Sequence, residues 1–153
     1  MKYFYLTLTI LLNSCLSEKE TYLSLNNLFQ DNMVMQHESV VPVWGLSKSN
    51  KEVKILSSWD EEITTISDSK GYWKTNIKTP KADNISHNII VTSDKEKIII
   101  NDVLLGEVWL ASGQSNMEWR IRQTLNTDQI LELEENTNIR MITVDRNLSL
   151  KPL

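Results

Sequence analysis

Short runs of β-branched and aromatic residues, separated by turn residues, fill the sequence between Leu23 and Leu104. No sustained helical period interrupts them, and this pattern is typical of short strands. Polar turns at residues 47–50, 68–71 and 93–96 separate several of the runs. The predicted strands are Met33–Gln36, Val40–Trp44, Glu52–Ser57, Ile63–Ser67, Tyr72–Lys78, His87–Thr92 and Lys97–Val103.

Alternation along these strands indicates which side chains point inward. In the strand predicted over residues 72–78, Trp73 and Ile77 share one side, so Trp73 is predicted to lie in the core. Around seven short strands at this spacing predict a small β-sandwich, immunoglobulin-like in outline, over residues 23–104. Trp44 and Trp59 have two interpretations, core packing or stacking against sugar rings. Core packing is favoured because aromatic side chains supply much of the burial in small domains.

The pattern changes after Leu105 from alternating strands to strand, turn and helix. Val108–Ala111 is predicted to be a short buried strand that breaks at Ser112-Gly113 and places Ser115 on a tight turn. A serine on such a turn is held clear of its own backbone and lies near amides that lack internal partners, which suits a nucleophile. The structural alternative is a serine that caps a helix N-terminus.

Two further elements are predicted downstream. A helix covers Gln129–Glu135 with Thr127 as its cap, and Ile139–Val144 forms a fully apolar strand. Two parallel strands and a crossover helix make one βαβ unit, which opens an α/β/α sandwich. A solitary parallel pair leaves apolar faces and edges uncovered. We therefore expect residues 105–153 to be poorly stable in isolation, or the chain to be a fragment of a longer one.

Several motifs resemble those of one enzyme family. The block Gly113-Gln114-Ser115-Asn116-Met117, preceded by Gly106-Glu107-Val108-Trp109, is similar to the nucleophile block of the SGNH hydrolases, and more closely to that of the sialate O-acetylesterases. Residues 28–36 and 41–45 resemble the N-terminal β domain of that family, and residues 139–144 resemble the second strand of its hydrolase domain. The resemblance implies an N-terminal all-β sandwich followed by the first βαβ unit of an α/β/α SGNH hydrolase domain.

The same resemblance implies serine esterase chemistry on an acetylated sugar, sialic acid or a related glycan, with no metal or organic cofactor. It makes Ser115 the catalytic nucleophile, with its backbone N–H in the oxyanion hole. It also places Gln114, Asn116 and Trp119 near the bound substrate. Trp119 fits packing under the first helix of the hydrolase domain equally well.

The remaining catalytic groups of the family have no counterpart in these 153 residues. The family takes its base and its orienting carboxylate from an Asp-x-x-His block near the end of the hydrolase domain. The two histidines here, His37 and His87, lie upstream and in no such block, so we predict that both are surface or packing residues. No metal site is predicted. The chain as given is expected to be inactive unless a second chain carries the missing His and Asp.

The amino end has the form of a secretory signal peptide. Met1-Lys2 gives a positive start, and the apolar run that follows is shorter than the roughly 20 residues that span a bilayer. Cys15, the one cysteine, follows Leu12-Asn13-Ser14 and resembles the end of a bacterial lipobox. We predict a signal peptide at 1–15, lipidation of Cys15 and a solvated tether at 16–22. The protein is then an extracytoplasmic lipoprotein, periplasmic or at the cell surface. Alternatively, Cys15 merely lies inside a leader.

The net charge argues against nucleic acid as a partner. The chain has 16 Lys and Arg against 20 Asp and Glu, a net charge of −4, and so no basic footprint for nucleic acid. Two hypotheses from different classes remain. The first is an esterase whose truncated hydrolase domain occupies residues 105–153. The second is a non-catalytic, lipid-anchored β-sandwich with a binding or structural role, which the missing base favours for the chain as given.

Overall fold

The computed structural model describes residues 22–132 and 136–144. The predicted signal peptide, Cys15 and all but the last residue of the predicted tether lie outside these residues. The described part contains eight strands and one short α-helix. Their bounds are β1 Ser24–Leu25, β2 Val34–Gln36, β3 Val40–Leu46, β4 Glu52–Ser57, β5 Glu62–Ile66, β6 Tyr72–Lys78, β7 His87–Ser93, β8 Glu96–Gly106 and α1 Thr127–Leu131.

The strands form two sheets. One sheet has the order β1-β3-β6, and the other has the order β2-β8-β7-β4-β5. All pairs are antiparallel except β2 with β8, which run parallel with Val34 opposite Leu104 and Gln36 opposite Gly106. Two pairs of consecutive strands form hairpins, β4 with β5 and β7 with β8, whereas β2 pairs with β8, the last strand.

A single apolar core draws on both sheets. Along β4 the burial alternates, so that Val53 and Ile55 are fully buried while Leu56 is exposed. Burying each such side chain stabilises the fold by ~1.5–3 kcal/mol. Trp73 is buried, as its position in the alternation predicted. The core consists of Leu23, Met35, Val43, Val53, Ile55, Trp73, Ile77, Ile89, Val91, Ile100, Val103 and Leu105.

Each of the seven predicted strands has a counterpart in the structure. The differences lie at the ends: β3 continues to Leu46, and β8 continues to Gly106. The strand β1 was not predicted, because two residues carry no measurable alternation. The predicted β-rich organisation of residues 23–104 is confirmed in this respect.

The strands predicted after Gly106 are wrong for this structure. Neither Val108–Ala111 nor Ile139–Val144 is a strand. Their side chains are largely exposed, with Trp109 at 86%, Leu110 at 92% and Met141 at 94% of full exposure. An apolar parallel strand needs a partner strand and cover on its faces, and the described residues supply neither to these segments.

The predicted helix is present only in part. Helix α1 begins at Thr127, with Asn126 in the left-handed region at φ 62° in the capping position. Thr127 is therefore the first helical residue and not the cap. Its hydroxyl donates to the carbonyl of Thr124 at 2.7 Å, so it stabilises the preceding turn. Residues 133–135, where the prediction continued, lie outside the described residues.

Candidate active site

Ser115 opens a 3₁₀ turn that spans Ser115–Glu118. The residue before it, Gln114, is extended at φ −91° and ψ −168°, and its carbonyl accepts the N–H of Met117 at 2.9 Å. Gly113 lies so close to this turn that a Cβ there would be 2.7 Å from Met117 Cγ. The glycine thus permits the tight turn that the sequence predicted around Ser115.

The predicted site residues around Ser115 all face solvent. Gln114, Ser115 and Asn116 are exposed, and Trp119 is 64% exposed, so its ring is not packed beneath a helix of the described chain. The Ser115 hydroxyl forms no hydrogen bond with any described residue. The structure therefore places the predicted nucleophile on an accessible turn, where none of the described residues acts as its hydrogen-bonded base.

His37 lies where β2 ends, beside the start of the segment that carries Ser115. Its Nε2 is 3.0 Å from Glu107 Oε1, and its Nδ1 is 3.3 Å from Glu38 Oε2. Gln36 donates through Nε2 to Glu107 Oε2 at 3.3 Å and accepts the N–H of Val108 at 2.9 Å. The hydrogen bond with His37, and then the one with Gln36, lowers the pKa of Glu107. These contacts tie the backbone at residues 107–108 to β2.

Arg140 ties the other end of the segment to the β domain. Its Nη1 donates to the carbonyls of Met33, at 3.3 Å, and of Asp102. Its Nη2 lies 2.9 Å from the Asp102 carboxylate, which also accepts the Ser86 hydroxyl at 2.8 Å. The Ser86 hydroxyl, and then Arg140, lowers the pKa of Asp102. Both ends of the span from Trp109 to Ile139 are thus held against β2 and β8.

His87 is buried within the β domain, as predicted for a packing residue, but its partners were not predicted. Its Nδ1 lies 2.9 Å from Ser58 Oγ, and its Nε2 lies 3.2 Å from both carboxylate oxygens of Asp83. The one sequence signal was the four-residue spacing of Asp83 and His87, which by itself does not distinguish a contact from chance. Neither histidine is hydrogen-bonded to Ser115 among the described residues.

The described residues contain no group of three or more His, Cys, Asp and Glu side chains arranged to hold a metal ion. Within the same residues, no helix is both long enough and apolar enough to cross a membrane.

Two proteins of known activity are similar to this chain. Human sialate O-acetylesterase is 26% identical over 125 aligned residues, which cover 74% of this chain. The crystal structure of a carbohydrate acetylesterase from Xanthomonas citri superposes with a TM-score of 0.64 and 32% identity over 71% of this chain. No protein-family model matches the sequence. The chain spans 24% of the length of each relative. These similarities support what the motifs predicted, a resemblance of this chain to the carbohydrate esterase family of sialate O-acetylesterase.

Proposed function

We propose that this chain is the N-terminal part of a carbohydrate O-acetylesterase that removes acetyl esters through Ser115. The observation that carries the proposal is the similarity to an acetylesterase at 32% identity over 71% of the chain. The substrate class is an acetylated sugar, sialic acid or a related glycan. The exposed turn at Ser115 supports the proposed role, because a nucleophile must be reachable by its substrate.

The proposed architecture is an immunoglobulin-like sandwich at 23–104 followed by the start of an SGNH hydrolase domain at 105–153. Its support is the exposure of large apolar side chains after Gly106, which further strands and helices would bury. In this arrangement the missing His and Asp belong to a later part of a longer chain or to a second chain. The described segment then has no Ser115-dependent activity on its own.

The proposed reaction is acyl transfer through a covalent intermediate. Ser115 Oγ attacks the acetyl carbonyl carbon, and its proton passes to the histidine supplied from outside the described residues. The sugar hydroxyl leaves with that proton, and water then releases acetate from acetyl-Ser115. The Ser115 N–H stabilises the oxyanion, while Gln114, Asn116 and Trp119 lie beside the sugar.

We further propose that the mature protein is membrane-anchored outside the cytoplasm through a lipid on Cys15. The support is sequence alone, a charged start followed by an apolar run and the lipobox-like Leu12-Asn13-Ser14-Cys15. Metabolic labelling with a fatty-acid analogue tests this. Label on wild type that is lost in Cys15→Ser is expected, and equal labelling of the two would contradict the anchor.

The first experiment concerns Ser115 in the native product. The protein, tagged in the turn at the exposed residues 68–70, is purified from its source organism, and acetate release from O-acetylated sugars is measured for wild type, Ser115→Ala and Ser112→Ala. Loss of one catalytic nucleophile lowers kcat by several orders of magnitude, so Ser115→Ala should release no acetate above background. Ser112→Ala, an exposed serine of the same segment, should keep its activity.

The purified 153-residue chain provides the complementary test. Because no described base reaches Ser115, this chain should show no Ser115-dependent hydrolysis of an aryl acetate. A burst of aryl alcohol that disappears in Ser115→Ala would contradict the need for an external His. If the native product also released acetate equally with and without Ser115, the esterase proposal would fail.

The unpartnered Ser115 hydroxyl favours one alternative, a non-catalytic β module with a binding or structural role. Trp44 and Trp59 are the aromatic residues to test in such a module. Both are half-buried: Trp44 packs edge-on against Phe29 at 4.9 Å, and Trp59 donates through Nε1 to the Lys78 carbonyl at 2.9 Å. Glycan capture that depends on either tryptophan, without acetate release by the native product, would support this alternative over the esterase.

A further inference from the structure

A second serine, inside the β domain, has the hydrogen-bonded partners that Ser115 lacks. Ser58 lies in the turn between β4 and β5, and its Oγ is 2.9 Å from Nδ1 of His87. On the other side of the ring, His87 Nε2 is 3.2 Å from both carboxylate oxygens of Asp83. Hydroxyl, imidazole and carboxylate thus form one continuous hydrogen-bonded chain.

The Asp83 carboxylate determines where each proton lies. The N–H of Ile85, and then His87, lowers the pKa of Asp83, so this carboxylate is ionised at neutral pH and only accepts hydrogen bonds. In the neutral ring, an Nε2–H that donates to Asp83 leaves Nδ1 to accept the Ser58 hydroxyl. Ser58 Oγ also accepts the N–H of Asn88 at 3.2 Å, which orients the hydroxyl proton towards the ring.

The imidazole is held rigidly while the hydroxyl remains accessible. His87 is 8% exposed, and the Trp59 ring packs against it edge-on, with the centroids 5.3 Å apart. Ser58 itself is exposed. A fixed imidazole bonded to an accessible hydroxyl is the arrangement in which a base activates a serine.

The turn also offers unused backbone donors. Ser57 and Glu61 close this turn. The Ser57 N–H donates to the Glu61 carbonyl, and the Glu61 N–H donates to Ser57 Oγ, both at 3.0 Å. Between them, the N–H groups of Trp59 and Asp60 form no hydrogen bond with any described residue. Unpaired N–H groups next to a nucleophile are the donors that stabilise an oxyanion.

We propose that Ser58, His87 and Asp83 form a second acyl-transfer site, which hydrolyses small activated carboxylic esters at the surface of the β domain. Ser58 Oγ bonds to the carbonyl carbon, and its proton moves to His87 Nδ1. The bond to the leaving alcohol breaks, and that oxygen takes the proton from His87. Water then attacks acyl-Ser58, gives one proton back through His87 to Oγ, and releases the carboxylic acid. This site is independent of Ser115.

A fluorophosphonate probe tests the site, because it forms a stable bond with activated serines. The purified 153-residue chain is labelled, and fragment mass spectrometry locates the adduct in wild type, Ser58→Ala, Asp83→Asn and Ser69→Ala. General-base assistance accelerates such reactions by about 10²–10⁴-fold, so Ser58 of the folded chain should react at least about 10²-fold faster than Ser58 in urea. The exposed turn residue Ser69 is the matched control.

Each outcome separates this site from the proposed Ser115 chemistry. Adduct on Ser58, absent in Ser58→Ala, slowed in Asp83→Asn and unchanged in Ser69→Ala, supports the proposal. Asp83 is exposed, so its isosteric replacement tests the network without emptying the core. Labelling of Ser58 no faster than of Ser69 would overturn it and leave a purely structural network. Adduct on Ser115 alone would likewise overturn it, and it would also contradict the need of Ser115 for an external His.

Discussion

Gly45 shows at the scale of one residue how closely the three-stranded sheet packs. It lies on β3 between β1 and β6, opposite Leu25 and Trp73. A Cβ at this position would be 2.0 Å from the Ser24 carbonyl oxygen and 2.9 Å from Cζ2 of Trp73. Since the first of these atoms belongs to the backbone of β1, the neighbouring strand would have to move.

Gly45→Ala should therefore destabilise the protein by about 1–3 kcal/mol, the typical cost of overpacking. Urea unfolding followed by tryptophan fluorescence measures this free energy. The matched control is Gly106→Ala, where the new Cβ would meet Val34 Cγ1 at 3.4 Å and should change the free energy of unfolding by less than about 0.5 kcal/mol. Equal effects of the two substitutions would contradict the close approach at Gly45.

At the scale of elements, β2 connects the β domain to the segment that carries Ser115. Only three residues long, this strand binds Val108 through the Gln36 side chain at one end, and the Met33 carbonyl just before it accepts from Arg140 at the other. The parallel pairing of β2 with β8 brings the Asp102 carboxylate to the same place. The two attachments make the β domain a support for the Ser115 segment.

Arg140→Met should loosen the end of this segment, because the guanidinium donors to Met33 and Asp102 are lost while an apolar side chain of similar length remains. The Ile139 N–H, which donates to the Asn136 carbonyl at 3.1 Å, should lose its protection from hydrogen exchange severalfold, and strands β3 to β7 should be unaffected. Arg122→Met, in the exposed turn at residues 121–123, should leave the exchange of both regions unchanged.

The same attachment should weaken in acid. The pKa of Asp102 is lowered in the folded state. The stabilisation that the ionised Asp102 carboxylate gives is therefore present above the ordinary pKa of 3.8, and it is lost as the pH falls from there through the pKa of the folded state. The protection factor of the Ile139 amide, which is its intrinsic exchange rate at each pH divided by the measured rate, should thus fall below pH about 4, and this fall should be absent in Asp102→Asn. A protection factor in wild type that does not change with pH would show that the ion pair does not hold the segment.

At the scale of the whole molecule, burial and exposure divide the chain near Gly106. Every buried hydrophobic side chain of the described residues lies between Leu23 and Leu105. Beyond Gly106, tryptophan, leucine and methionine side chains such as Trp109, Leu125 and Met141 are mostly exposed. Exposed apolar surface of this extent is expected to bind another surface.

A shortened chain that ends at Glu107 should therefore keep the cooperative unfolding transition of the β domain, since it retains the whole described core. It should also bind less of the dye ANS than the 153-residue chain and remain monomeric at concentrations where the longer chain associates. Light scattering and dye fluorescence measure these differences. Loss of the unfolding transition on shortening would show that the Ser115 segment contributes to the core.

The strand positions could be predicted because they depend on a local property. Alternating burial along stretches such as Val53–Ile55 and Trp73–Ile77 follows from the period of two in a strand, whatever the partner. The tight turn at Ser115 could be predicted for a similar reason, since Gly113 permits a close approach that a side chain at that position would obstruct.

The partners of these elements could not be predicted in the same way. The Arg140 contact with Met33 joins residues 107 positions apart, and the pairing of Ser58 with His87 joins the turn after β4 to the first residue of β7. Such contacts depend on the order of strands in each sheet, and the residues next to each partner in the sequence do not reveal that order. The strands predicted at residues 108–111 and 139–144 were wrong because an apolar run becomes a buried strand only where other parts of the fold cover it.

The sequence by itself thus determined where the strands of the β domain lie, which of their faces are apolar, and that Ser115 occupies an exposed tight turn, because each depends on neighbouring residues. The tertiary structure alone decided the parallel β2–β8 pair, the two attachments of the Ser115 segment and the Ser58–His87–Asp83 network. These depend on groups that are distant along the chain, and only the folded backbone brings such groups within hydrogen-bonding distance.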